Sequence, residues 1–176
     1  VSKAIHSVEW WLTYQARRVI TCSSHMRAEV GTLFELSSDK LDVIPNGIDL
    51  ARWRVDTALA GALRQRYAQA PDCPLLVYAG RLEWEKGLHT LLRALPRLRR
   101  RYPGLRLVVA GRGSKEADLR GLARSLRLGR AVTFAGWLPA DELAALAAAA
   151  DCAIVPSIYE PFGIVALEAA ATGAPL

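Results

Sequence analysis

From residue 75 onward the chain alternates short apolar runs with stretches of helical periodicity. The runs at 75–79, 105–110, 131–135 and 152–155 have strand length, are mostly apolar and are bounded by Gly or Pro. A helix is expected after each. Residues 87–102 carry Leu88, Leu91, Leu92, Leu95 and Leu98 at helical spacing and stop at Pro103-Gly104. Ser114 is expected to cap a helix reaching about Leu128, and 139–150 opens with Pro139 and places Asp141 and Glu142 in its first turn, where the helix dipole favours anions. Apolar strands spaced by helices of this size predict an α/β fold with parallel crossovers and a doubly wound sheet. Ligands of such sheets bind outside the carboxyl ends of the strands.

The first fifty residues read differently. A helix over 3–18 leads to an apolar run at 19–22, a Ser-capped helix over 24–35, a second run at 41–45 and a turn at Asn46-Gly47. Two short runs are too few for a sheet of their own. Residues 1–50 are therefore expected to be the C-terminal remnant of a first domain, 51–74 an interdomain connection with a helix around 58–70, and 75–176 most of a second domain. Val1 in place of Met, and an ending at Gly173-Ala174-Pro175-Leu176 that reads as a turn entering a strand, suggest truncation at both ends.

Composition narrows the class. With 52% hydrophobic and 23% charged residues the chain is globular, which excludes a disordered tail or a collagen-like repeat. The longest apolar run, 143–150, is ended by Asp151, well short of the ~18 residues of a membrane span. No signal-peptide pattern opens the sequence. The net charge of +6 is nearly all arginine and reads as compositional. Arg97, Arg99, Arg100 and Arg101 fall at a helix end, where they complement the dipole, so no nucleic-acid partner is expected. Cys22, Cys73 and Cys152 form no C-x-x-C pair, which argues against disulfides and zinc and fits a reducing cytoplasm.

Candidate chemistry sits in the loops that follow the strands. After 75–79 comes Gly80-Arg81-Leu82-Glu83-Trp84-Glu85-Lys86-Gly87, with two cations beside a helix start. Gly80 permits close backbone approach, and Arg81 and Lys86 can neutralise phosphate oxygens unless Glu83 and Glu85 pair with them locally. After 152–155, the helix opening at Gly163 is apolar on every side and is expected to be buried, with Glu168 its only charge. A buried carboxylate needs either an arginine partner or a ligand bearing hydroxyl donors. The N–H groups of Gly163, Ile164 and Val165 offer a second anion seat. Two phosphate seats and two carboxylates, Glu160 and Glu168, suggest a sugar nucleotide.

Gly80-Arg81-Leu82 with Glu85-Lys86-Gly87, the Pro-Asn-Gly-Ile-Asp stretch from Pro45 to Asp49, and Glu160 and Glu168 around Glu-Pro-Phe-Gly resemble the family 4 retaining glycosyltransferases of the GT-B fold. The resemblance covers essentially the whole chain. It implies two Rossmann-like domains around a cleft, acceptor bound by the first and nucleotide sugar by the second. Residues 1–50 then resemble the end of the acceptor domain and 75–176 the nucleotide-sugar-binding domain. It further implies that Arg81 and Lys86 hold the donor diphosphate in place of a metal, so no metal or other cofactor is expected. Glu160 would stand beside the donor sugar, Glu168 would bind the ribose hydroxyls, and the backbone around Trp137 and Leu138 would edge the base. By the same resemblance the chain alone, without the acceptor domain's glycine-rich loop and histidine, is expected not to turn over. His6 is no substitute.

The segment Ile5-His6-Ser7-Val8-Glu9-Trp10-Trp11 resembles bacterial glycogen-synthase-like members, which implies UDP- or ADP-glucose as donor and an α-glucan acceptor in polysaccharide biosynthesis. The alternatives are a lipid or small-molecule acceptor with a mannose or glucose donor, or a nucleotide-sugar binding module without turnover. The arginine cluster and the apolar residues around Trp10 and Trp11 are where contact with an anionic membrane surface would run, although core or interdomain packing is the favoured reading of the tryptophans. An NAD-binding domain fits less well. Gly111-Arg112-Gly113 offers two glycines but Glu116 takes the third position, and no acidic residue ends the 131–135 run.

Overall fold

A computed structural model describes residues 3–68 and 70–176, with the side chains of 3–6 excepted. The expectations placed on Val1 and on the side chains of Ile5 and His6 lie outside the described residues. The chain divides into two compact units, Val1–Gly47 and Ile48–Leu176.

In the first unit, helix α1 (Lys3–Gln15) precedes strand β1 (Val19–Thr21), helix α2 (Ser24–Leu33) and strand β2 (Leu41–Val43). The two strands pair in parallel, Val19 opposite Leu41 and Thr21 opposite Val43. Ser23 caps α2, its hydroxyl accepting from the Met26 N–H at 3.1 Å, and the Arg18 guanidinium grips the Asp42 carboxylate on β2. Trp10 and Trp11 do not enter a core within this unit. Both are exposed, and Trp10 stacks on Tyr14, one helical turn along α1, at 5.3 Å.

The second unit opens with a short 3-10 turn (Leu50–Trp53) and helix α3 (Thr57–Tyr67), whose N-cap Asp56 accepts from the N–H groups of Ala58 and Leu59. Residues 51–74, expected as an interdomain connection, thus belong to this unit. Leu63 of α3 is buried against the sheet, and Arg64 donates to Ala149 O at 2.7 Å and pairs with Asp151 at 3.2 Å. Asp151 in turn accepts from the Leu75 N–H at 2.7 Å.

Strands β3 (Leu75–Ala79), β4 (Arg106–Ala110), β5 (Val132–Gly136) and β6 (Cys152–Ala153) form one parallel sheet in the order β5-β4-β3-β6. Alternate residues face opposite layers, as the two-residue period of a strand requires. Tyr78, Leu107 and Val109 pack with α4 (Leu88–Arg101) and α5 (Glu116–Ser125), while Leu75, Val77 and Val108 pack with α3 and α6 (Ala140–Ala149). The sheet is covered on both faces, as expected of a doubly wound fold. Strand order runs outward from β3 through β4 to β5 and then jumps back to β6 on the other side of β3. That reversal marks the crevice where such sheets bind ligands.

Two local expectations are corrected. Ser114 does not cap α5, which begins at Glu116; its N–H and hydroxyl donate instead to the Glu83 carboxylate at 2.7 and 2.8 Å. A carboxylate from the neighbouring loop takes up these donors beside the helix start. Helix α7 (Ile164–Ala171) is not buried all round. Only Ala169 is buried, and Ile164 and Leu167 are exposed; the helix packs mainly on α6 and on the 50–53 turn.

Candidate functional site

Three loops meet at the carboxyl ends of β3, β4 and β5. The Gly80 N–H donates to Ala110 O at 3.0 Å, the Leu82 N–H to Arg112 O at 3.0 Å, and the Gly111 N–H to Gly136 O at 2.6 Å. Glycine is required where these backbones touch. A Cβ on Gly111 would lie 1.9 Å from Gly80 O, and one on Gly113 2.4 Å from Leu82 O. Together the loops enclose a cleft of about 280 Å³ lined by Gly80, Arg81, Arg112, Trp137, Leu138 and Val165, among others. Among the described residues no acidic side chain lines it. Tyr78, buried under the first loop, donates its hydroxyl to Arg81 O at 2.9 Å, and burial pushes its phenol well above the usual range.

The loop after β3 also meets the loop after β6. Gly87, at φ +69°, presses against Pro156 O, and the Ile158 N–H donates to Glu85 O at 2.9 Å. This contact brings Lys86 and Glu160 together. Lys86 Nζ lies 2.8 Å from Glu160 Oε2, with the side chains only 19% and 27% exposed. The Ser157 hydroxyl donates to the same oxygen at 3.0 Å. Partial burial pushes the Glu160 carboxyl up, but the hydrogen bonds from Lys86 and Ser157, the Lys86 charge and the Gly163 N–H outweigh it and hold the group below the usual carboxylate range.

Glu168 has no hydrogen-bond or ion-pair partner among the described residues. It lines a small crevice with Trp53, Val77, Leu143, Ile154 and Val165, and desolvation in these apolar surroundings pushes its carboxyl up. No arginine among the described residues pairs with it. Crevice and cleft share Ala79, Leu143 and Val165 as walls.

Of the residues singled out by sequence, Gly80, Arg81, Leu138 and Val165 line the cleft, and Glu168 lines the adjoining crevice. Lys86 and Glu160 pair with each other beside it. Gly163 turns the chain at φ +87° into α7, and its N–H is drawn to Glu160, while Ile164 is exposed and lines neither cavity. The second anion seat at this helix start is therefore partly occupied by the protein's own carboxylate. Arg81 pairs locally with Glu85 at 3.1 Å. Sequence reasoning gives no site role to Arg112, Ser157 or Trp53, and it reads Glu83 only as a local partner of the cations, whereas Glu83 accepts from Ser114. Arg112 was open to the rule that found Arg81, since it too follows a strand's carboxyl end beside glycine.

Residues 61–176 match the family described as glycosyl transferases group 1, and residues 1–52 the one described as Glycosyltransferase Family 4. The chain is 47% identical to glycogen synthase of Mycobacterium tuberculosis over all its 176 residues, which is 40% of that protein. It is 35% identical to a GDP-mannose-dependent phosphatidylinositol monomannoside mannosyltransferase of the same organism, covering 97% of this chain and 49% of the relative. Among solved structures it superposes on sucrose-phosphate synthase of Thermosynechococcus elongatus with TM-score 0.84 at 30% identity, covering 99% of this chain and 43% of the other. HepE of Anabaena, crystallised with UDP-glucose, gives TM-score 0.87 at 25% identity, with 99% and 48% covered. The chain thus spans less than half the length of these relatives.

Proposed function

The chain belongs to the glycosyl transferases group 1 family, and from that premise we propose that the whole protein transfers a hexose from a nucleoside diphosphate sugar to a hydroxyl acceptor, with retention at the anomeric carbon. The single observation that carries this reading is a cleft at the strand ends lined, among the described residues, by arginines and by no acid. As the bond from the sugar to its phosphate breaks, negative charge accumulates on the departing diphosphate. Cations already in place lower that barrier more than they stabilise the ground state. Arg81 supplies one from the cleft wall and Lys86 another from beside it. The proposal gives this neutralising role to side chains rather than to a metal. Among the described residues no group of three or more His, Cys, Asp or Glu is arranged to hold one.

Glu160, kept ionised, faces the donor sugar in this reading and either accepts a sugar hydroxyl or stabilises positive charge at the anomeric carbon. Glu168 accepts the ribose hydroxyls. A carboxylate can only accept, so a pair of hydroxyl donors is the partner it lacks in the free protein. The backbone at Trp137 and Leu138 edges the base.

UDP- or ADP-glucose with an α-glucan acceptor is the favoured pairing, supported by the 47% identity to a glycogen synthase and by the UDP-glucose complex of HepE. A mannose donor with a lipid or small-molecule acceptor is the second reading, supported by the 35% identity to the GDP-mannose-dependent enzyme. Cytoplasmic location belongs to the same proposal and is supported by Cys22, Cys73 and Cys152, which form no disulfide. No helix among the described residues is long and apolar enough to cross a membrane. Titration calorimetry of the 176-residue chain with UDP, ADP, GDP and NAD tests the reading. Measurable binding of at least one nucleoside diphosphate is expected, with UDP or ADP ahead of GDP under the favoured pairing. Tight binding of NAD with no response to any nucleoside diphosphate would overturn it.

A further inference from the structure

Both cations that the sequence assigns to the diphosphate are already held by carboxylates in the free protein. Arg81 pairs with Glu85, and Lys86 with Glu160. The two pairs contribute no net charge to the site, whereas a nucleoside diphosphate brings several negative charges. Arg112 is different. It lines the same cleft as Arg81, and its guanidinium has no hydrogen-bond or ion-pair partner among the described residues. It is the cleft's uncompensated cation.

Its backbone is also fixed more firmly than an exposed loop would suggest. The Leu82 N–H donates to Arg112 O, and the Lys115 N–H donates back to Leu82 O, each at 3.0 Å. Gly113 lies so close to Leu82 that no side chain fits there. Glu83 ties down the next residue through the Ser114 N–H and hydroxyl. That carboxylate takes up the Ser114 N–H at the start of α5, so this donor is engaged within the protein, whereas the Arg112 side chain is not. A guanidinium on an anchored backbone loses less freedom on binding than one on a mobile loop.

Building on the donor-cleft reading, we propose that Arg112 is a further anchor for the donor's phosphates, the one cation of the cleft whose charge no carboxylate offsets. Arg81 and Lys86 must each weaken an existing ion pair to meet the ligand. Arg112 meets it with none to give up, so it carries a large share of the affinity for the charged part of the donor.

The test is calorimetry of UDP and of uridine with the unaltered 176-residue chain, Arg112→Ala and Arg112→Lys, at low and high salt. Arg112→Ala is expected to weaken UDP about tenfold, the size of one charge-assisted hydrogen bond. Uridine should be unaffected, the salt dependence of UDP binding should become shallower, and Arg112→Lys should recover part of the loss. UDP affinity left intact by Arg112→Ala overturns this assignment alone. Equal losses for UDP and uridine overturn it too, since they place the residue against the nucleoside. If the unaltered chain binds neither UDP nor any other nucleoside diphosphate, the donor-cleft reading fails and this assignment with it.

Discussion

Gly87→Ala is expected to lower the midpoint of thermal unfolding by roughly 10 °C. Gly87 sits at φ +69°, in the left-handed region, where a side chain costs about 1–2 kcal/mol. Its Cβ would also stand 1.8 Å from Pro156 O, a backbone atom that cannot rotate away. Relieving such an overlap costs about 1–3 kcal/mol more. In a chain of this size each kcal/mol moves the midpoint by roughly 2–4 °C. The same overlap pushes apart the two loops that carry Lys86 and Glu160, so affinity for a nucleoside diphosphate should fall as well. Gly61→Ala is the control. It lies within α3 with nothing within 4 Å of the new Cβ and should raise stability by roughly 0.5–1 kcal/mol. Thermal melts of the two variants check both directions, and a Gly87→Ala midpoint within about 2 °C of the unaltered chain would contradict the account of the loop contact.

Lys86→Ala is expected to have the larger effect on binding. It removes a cation proposed to meet the diphosphate and strands a half-buried carboxylate, Glu160, with Ser157 as its remaining side-chain donor. The loss in UDP affinity should approach ~100-fold, as when one member of a desolvated charge pair is truncated. The cost to stability is smaller, about 1–2 kcal/mol, because water reaches both groups.

That cost depends on pH in a definite direction. Glu160 is held below its ordinary range when folded, so its contribution is full above its unfolded pKa and is lost as the pH falls through the lowered folded value. Lys86→Ala should flatten this acid loss. Lys86→Ala combined with Glu160→Gln separates the two roles. Neutralising the stranded carboxylate should restore most of the stability at neutral pH and little of the UDP affinity. Full recovery of UDP binding in the double variant would mean that Lys86 acts only by masking Glu160.

The sheet was legible because its signals are local and redundant. Strands β3, β4 and β5 are apolar runs closed by glycine or a loop, and the leucines of α4 repeat at a spacing that only a helix aligns. What misled was competition between neighbours. Ser114 has the side chain of a helix cap, and no local rule shows that Glu83, 31 residues earlier, will claim its donors. The apolar surface of α7 predicts burial, yet burial depends on neighbouring elements that an apolar sequence does not specify, and Ile164 and Leu167 stay exposed. Gly80, Arg81, Leu138 and Val165 line one cleft because each follows a strand end or opens the next helix, a placement that strand and helix boundaries make readable. The pairing of Lys86 with Glu160 was not foreseen. Their loops are brought together by the β3–β6 neighbour relation and by the close approach of Gly87 to Pro156, neither of which sequence spacing reveals.

The claim at the centre of this account is that the cleft at the ends of β3, β4 and β5 receives a nucleoside diphosphate. Amide chemical-shift mapping of the 176-residue chain with UDP tests it most directly. The account predicts perturbations at Gly80, Arg81, Gly111, Arg112, Trp137 and Leu138, extending to Val165 and Glu168, with no coherent cluster elsewhere. Saturable shifts confined to the surface hollow around Gly61, Arg64 and Pro71, or to α1 and α2, with the strand-end residues unmoved, would contradict it.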